Sequence, residues 1–269
     1  MMRTGNPTLN DRVFQIDDRT ASTTMTLEGT AIKTMVLLGI LVAVAAVVWS
    51  QTIPLLEAAG AQVVEREGYT RMLSAMPGAV YGYLIFGVIS GLIVALVTCF
   101  VPKWSPVTAP IYAACEGVFL GAFSAMFEFM YPGIVMQAVV ATFGTLASLL
   151  VAYRLRLVRA TENFKLGIIA ATGGIMLLYV ASFVLSLFGW PTLAINIFSS
   201  TGLMSIGFSV FVVIIAALNL VLDFDFIENG CEYGAPKYME WYAGFGLLVT
   251  LIWLYIEIVR LLAKLQSRD

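Results

Sequence analysis

The sequence predicts an all-α fold, a polytopic transmembrane bundle of seven helices, on three observations. Hydrophobic residues make up 60% of the chain and charged residues 12%, with a mean hydropathy of +0.91. A soluble domain carries about 25% charged residues. The apolar residues arrive in blocks of about 20, enough to cross roughly 30 Å of hydrocarbon. Proline and glycine punctuate the gaps between blocks, where they stop helices by removing a donor or freeing the backbone. A β-barrel would instead show short alternating segments.

The elements follow in order. Residues 1–30 are polar and mixed in charge, with no apolar run of a signal peptide. They are expected to form a soluble cytoplasmic tail, leaving 31–269 as the transmembrane domain. Span one covers 32–53 and is closed by Pro54. Pro77-Gly78 opens span two, 79–101, and Pro102 and Pro106 bracket a tight turn into span three, 107–130. Tyr131-Pro132-Gly133 separates span three from span four, 134–153. Span five, 166–188, ends at Gly189-Trp190-Pro191. The fairly apolar stretch Leu193 to Ser200 is either an interfacial piece or an early start to span six, 203–227. Gly234-Ala235-Pro236 precedes span seven, 238–262. Gly87 with Gly91, and Gly117 with Gly121, have the spacing that lets membrane helices approach closely. No internal repeat of the inverted-transporter kind is visible.

Lysine and arginine placement sets an expected orientation. Arg3, Arg12, Arg19, Lys33, Lys103, Arg154, Arg156, Arg159, Lys165 and Lys237 fall on one side of the seven spans. Arg66, Arg71, Arg260, Lys264 and Arg268 fall on the other. The excess places the N-terminus in the cytoplasm, with Arg154 to Lys165 the strongest contribution and the basic C-terminal end opposing it.

Several classes of chemistry are excluded. A net charge of −2 gives no polybasic footprint for nucleic acid. The three cysteines, Cys99, Cys115 and Cys231, are an odd number, so neither a disulfide framework nor a zinc site is expected. There is no histidine, hence no histidine-based catalysis, metal site or pH switch. No nucleophile–base arrangement or cofactor fingerprint is present, and neither an enzyme nor a bound cofactor is expected.

Carboxylates inside apolar segments are the informative residues, because a bare carboxylate is costly in hydrocarbon and usually faces a partner, a water-filled cavity or an ion path. Asp223, Asp225 and Glu228 stand at the predicted end of span six. Asp223 and Asp225, two residues apart on a helix, point apart, so one can face the bundle and the other water. The bland reading is a solvated helix end. DFDFIENG is not a calcium loop, because Ile227 stands where a third acid is needed and Gly230 is misplaced. Glu240 opens span seven after a short turn and should lie near the depth of Asp223 and Asp225. Two carboxylates at one depth on facing helices can share a proton or bridge a cation. The alternative is a first-turn acid favoured by the helix dipole. Glu257 lies deep in span seven with Arg260 three residues on, an arrangement that also suits a structural ion pair. Glu116 lies well inside span three with no basic neighbour in sequence, the hardest of these acids to explain as surface. Glu128 is nearer the end of that span and is expected at the interface.

The segments LDFDFIENG through GAPKYMEWYAGFGLLVTLIWLYIEIVRLL, APIYAACEGVFLGAFSAMFE and MRTGNPTLNDRVF resemble the bacterial branch of the Bax inhibitor-1 (TMBIM) family across nearly the whole chain. The resemblance implies seven helices with a central helix surrounded by the others, a multi-pass protein of the bacterial inner membrane, and a pH-sensitive calcium leak gated by an acidic dyad between helices six and seven. Carried over, the sixth-helix member falls on Asp223 or Asp225. The seventh-helix pattern fits both Tyr238-Met239-Glu240-Trp241 and Leu254-Tyr255-Ile256-Glu257. Glu240 matches the depth of the sixth-helix acids, whereas Glu257 would be about 25 Å further along the helix. The family's leak members latch the dyad with an arginine in the second helix; span two here has neither arginine nor lysine.

The expected function is therefore a cation leak, with calcium as the transported ion, Asp223, Asp225 and Glu240 as its oxygen ligands or gate, and Glu116 and Glu257 along the path. Against it stands a non-conducting regulator of a membrane protease or other quality-control partner, using the N-terminal tail as its handle. A proton-coupled carrier built on Glu116 is the third reading. The lipid bilayer is the one partner all three require.

Overall fold

A computed structural model describes residues 24–59, 76–158, 160–188 and 202–267. Arg3, Arg12, Arg19, Arg66, Arg71, Arg159 and Arg268, the Leu193–Ser200 stretch and all of the tail before Thr24 lie outside the described residues.

The described residues form seven long helices: α1 (Leu27–Ala58), α2 (Gly78–Phe100), α3 (Ser105–Met130), α4 (Ile134–Arg154), α5 (Glu162–Leu187), α6 (Leu203–Glu232) and α7 (Met239–Gln266). Each is long and apolar enough to cross a membrane. A 3₁₀ turn, Pro102–Trp104, joins α2 to α3. The span order and the proline and glycine breaks agree with the sequence reading, apart from the bounds of α1 and α6. Pro54 lies inside α1, which continues to Ala58. It has no N–H to donate to Ser50 O, and the helix ends one turn later. α6 runs to Glu232, so Asp223, Asp225 and Glu228 lie within the helix rather than at its end. Its stop is a paired C-terminal turn. Gly234 takes φ +66°, its N–H donates to Cys231 O at 3.2 Å, and Ala235 N–H donates to Gly230 O at 2.9 Å. These bonds satisfy carbonyls that a helix end otherwise leaves open.

α1 begins earlier than expected because Thr26 caps it, its hydroxyl accepting from Gly29 N–H at 3.0 Å. Just upstream, Thr24 bridges Pro236 and Met25 N–H donates to Ala235 O at 2.7 Å. Met25 is buried against Gly230. The segment entering α1 is thus strapped across the α6–α7 turn.

α3 and α7 are the two most buried helices. α7 packs on α1, α3, α4 and α6, while α2 lies on α3 and α5 on α6 as flanks. Both small-residue pairs are packing devices. A Cβ on Gly121 would lie 2.6 Å from Ala45 O, and one on Gly117 would lie 2.8 Å from Leu41 O, so α3 meets the α1 backbone directly. A Cβ on Gly87 would lie 2.6 Å from Phe119 Cβ, which seats α2 on α3 in the same way. Between α1, α3, α4 and α7 is an apolar cavity of about 430 Å³ whose lining includes a Ser124–Tyr255 hydroxyl pair at 2.7 Å.

Candidate functional site

Three carboxylates within one stretch of α6 reach three different helices. A helix turns 100° per residue, so residues 223, 225 and 228 leave the axis in separate directions. Asp225 faces α5, where Lys165 Nζ lies 2.8 Å from its Oδ2; Asn229 Nδ2 donates to the same oxygen at 2.9 Å. Glu228 faces α4 and accepts from Tyr153 OH. Asp223 faces α7, beside Thr250, and lines a cavity of about 190 Å³ with Phe226, Tyr242, Ala243 and Gly246. Its Oδ2 is buried and has no hydrogen-bond partner. A buried polar atom without a partner is costly and calls for an explanation such as a water, an ion or a functional role. The separation of Asp223 from Asp225 was readable from their spacing; that Asp223 is the member turned inward was not.

Glu240 is fully buried, and its neighbours are at the start of α1. Its Oε1 accepts from Thr26 N–H at 3.0 Å and from Thr26 Oγ1 at 2.9 Å, and pairs with Lys237 Nζ at 2.8 Å. The carboxyl group lies against Gly29, where any added Cβ would overlap it. It thus sits at the positive N-terminal ends of two helices, α7 and α1, with a lysine alongside. Oε2 is buried without a hydrogen-bond partner. The direct pairing expected between Glu240 and Asp223 or Asp225 is replaced by this contact. The depths differ too: Asp223 is level with Ala243–Gly246, roughly 5–9 Å down the α7 axis from Glu240 for three to six residues at 1.5 Å each. Among the described residues no three His, Cys, Asp or Glu side chains converge as metal ligands, and Asp223, Asp225 and Glu240 each face different neighbours.

The remaining acids are each accounted for locally. Glu257 is buried on α7, accepting from Tyr179 OH of α5 at 2.8 Å and pairing with Arg260 at 3.3 Å. One turn further, Lys264 Nζ donates to Ser209 Oγ of α6 at 2.7 Å. Glu116 faces α2, its Oε1 being 2.6 Å from where a Cβ on Gly91 would stand, and Tyr112 lies one turn before it on α3. Tyr112 in turn packs edge-on to Phe245 of α7 at 4.8 Å. Glu128 caps α4, accepting from Gly133 N–H at 2.7 Å and Val135 N–H at 3.1 Å. The sequence reading missed Thr26, Lys165, Thr250, Tyr153 and Tyr179 as partners. Thr26 carried a readable signal, a capping residue just before the first apolar run. The others are ordinary residues whose partners lie on distant helices.

A family model described as Bax inhibitor 1 like matches residues 6–267. Searches of curated proteins and of solved structures return no match.

Proposed function

The chain belongs to the Bax inhibitor 1-like family, and from that premise we propose that it is a pH-sensitive cation leak, with calcium as the transported ion, gated at the interface of α6 and α7. One observation carries this reading: Asp223 presents a buried, unpartnered carboxylate oxygen at a cavity between those helices. A hard anionic oxygen in a small cavity suits a calcium ion in transit. With one protein carboxylate it suits passage better than tight retention. Protonation of Asp223 removes the charge that attracts the ion, which couples conduction to pH. Glu240 acts at one remove from the ion. It holds the α7 start to α1 and to the strapped segment before it, so its state sets how firmly the α6–α7 turn is closed. Glu116, one turn from the Tyr112 that packs on Phe245, lies on the α3 side of the same helix. The cytoplasmic N-terminus and the bacterial inner membrane remain part of the proposal.

The test is calcium flux into dye-loaded liposomes carrying the purified protein, from mildly acidic to neutral pH. A protein-dependent, pH-graded flux is expected. Flux no greater than that of empty liposomes at every pH would remove the reading.

A second reading, a non-conducting regulator of a membrane protease or similar partner, is favoured by the Thr24–Thr26 strap. That strap joins the α6–α7 turn to the polar tail, so a partner holding the tail would act on the turn directly. A regulator needs its partner to show an effect, whereas a leak does not.

A further inference from the structure

The apolar cavity between α1, α3, α4 and α7 holds about 430 Å³ of space, within the range of small-ligand pockets, about 300–1,000 Å³. Protein interiors are close-packed, with few voids larger than a water molecule. A cavity of this size calls for an occupant. α3 and α7 form its floor, through the buried Leu120, Leu248 and Leu251. α1 forms one wall, from Leu38 to Trp49, and α4 the other, from Val135 to Phe143. α1 packs on α3 and α7, and α4 on α6 and α7, but the two walls have no packed interface with each other. At the rim, Val42 of α1 and Phe143 of α4 are 55% and 43% exposed. Both helices are membrane spans, so these apolar rims face lipid tails. The cavity is thus a cleft whose open side is continuous with the lipid-facing surface.

The lining suits hydrocarbon rather than water or an ion. The Ser124 and Tyr255 hydroxyls bond each other at 2.7 Å, and the Thr142 hydroxyl donates to Ala138 O at 2.8 Å. The rest of the lining, apart from the Trp49 indole N–H, is hydrocarbon. A cavity so lined offers a water almost no partners and an ion no charge. Its length is that of a lipid tail. From Leu38 to Trp49 it runs about 16 Å along α1, at 1.5 Å per residue. One leaflet of a hydrocarbon core of roughly 30 Å is about 15 Å deep. The α4 residues that line the cleft belong to the first half of that helix, so the cleft lies in the leaflet on the side of the α3–α4 turn.

We infer that this cleft binds one acyl chain of a bilayer phospholipid from that leaflet, which enters between α1 and α4 and lies on Leu120, Leu248 and Leu251. The chain fills space that the side chains leave open and keeps α1 and α4 apart. The site shares no lining residue with the Asp223 cavity and needs no ion flux.

The test uses the full chain in bilayers containing a phosphatidylglycerol with a photoreactive diazirine midway along one acyl chain. After illumination, the labelled residues are mapped by mass spectrometry. Adducts are expected on the buried floor, at Leu120 to Ser124 and Leu248 to Tyr255, which lipid reaches only through the cleft. Adducts confined to outward residues such as Val140 and Leu150 would overturn the site. Two variants then block it: Ala46→Trp sets an indole at the exposed mouth, and Val139→Phe fills the cleft from the α4 wall. Each is expected to lose the buried adducts and keep the outward ones. Buried adducts unchanged in both folded variants would overturn the site. Displacement of the buried adducts by a trace of free fatty acid would overturn phospholipid as the occupant. Where a variant fails to fold, the wild-type map alone decides.

Discussion

Glu240 on α7 accepts hydrogen bonds from both the backbone N–H and the hydroxyl of Thr26, 214 residues earlier in the chain. The first residue before the first helix is thereby joined to the first turn of the last. Thr26 also caps α1 through Gly29. One side chain therefore serves a helix end and a long-range clamp.

Thr26→Val keeps the shape and removes the hydroxyl, so the cap and the side-chain half of the clamp are lost together, while the backbone N–H bond to Glu240 remains. A capping residue contributes about 1 kcal/mol and a hydrogen bond to a charged group about 1.5–3 kcal/mol. The variant should be less stable by about 2.5–4 kcal/mol in unfolding measurements on detergent-solubilised protein. Thr26→Ser, which keeps the hydroxyl, should retain most of the stability.

Gly29→Ala places a Cβ where the Glu240 carboxyl now lies, and the carboxyl must move off Thr26. The melting temperature should drop although alanine favours helix. Gly39→Ala on the same helix meets nothing and should raise it, since alanine is better than glycine by about 1 kcal/mol in a helix interior. Equal effects at the two positions would show that Glu240 does not hold the start of α1.

Much of the architecture was legible before the structure. The seven apolar blocks and their breaks correspond to α1 through α7, because length and hydropathy suffice to identify a membrane helix. Gly117 and Gly121 were recognised from spacing alone, and their contact with the α1 backbone follows from it. What the sequence hid was pairing. Glu240 was read against Asp223 and Asp225 because a short turn made α6 and α7 neighbours. The turn orders two helices but does not fix which residues share a depth, and the extra length of α6 to Glu232 shifts Glu240 away from Asp223. Thr26 was readable as a helix cap, but its pairing with Glu240, 214 residues away, was out of reach of any local reading. Likewise, the seven-residue recurrence of Lys165, Thr172 and Tyr179 looks unremarkable until their partners on α6 and α7, Asp225, Asn219 and Glu257, are seen.

The clasp between Lys165 and Asp225 is partly exposed at both ends. A double-mutant cycle on this pair should give a coupling of about 0.2–1 kcal/mol that shrinks with added salt. Tyr179→Phe removes a bond to the buried Glu257, and salt should leave its effect unchanged. Its cost is expected near the 0.6 kcal/mol average for polar contacts between membrane helices, and below about 1.7 kcal/mol.

The proposed roles of the two acids near the α6–α7 turn separate under mutation. Glu240→Gln keeps an acceptor for Thr26 but weakens the pairing with Lys237. It should loosen the strap, seen as faster proteolysis ahead of α1, while leaving a conducting path. Asp223→Asn leaves the fold and the strap intact, because Asp223 Oδ2 has no bond to lose.

The most direct measurement is therefore calcium flux in liposomes carrying wild-type protein and Asp223→Asn, compared across the same pH series. The account predicts a pH-graded flux for the wild type and a small flux without pH dependence for the variant. A variant whose flux keeps the wild-type magnitude and pH dependence would contradict Asp223 as the gate.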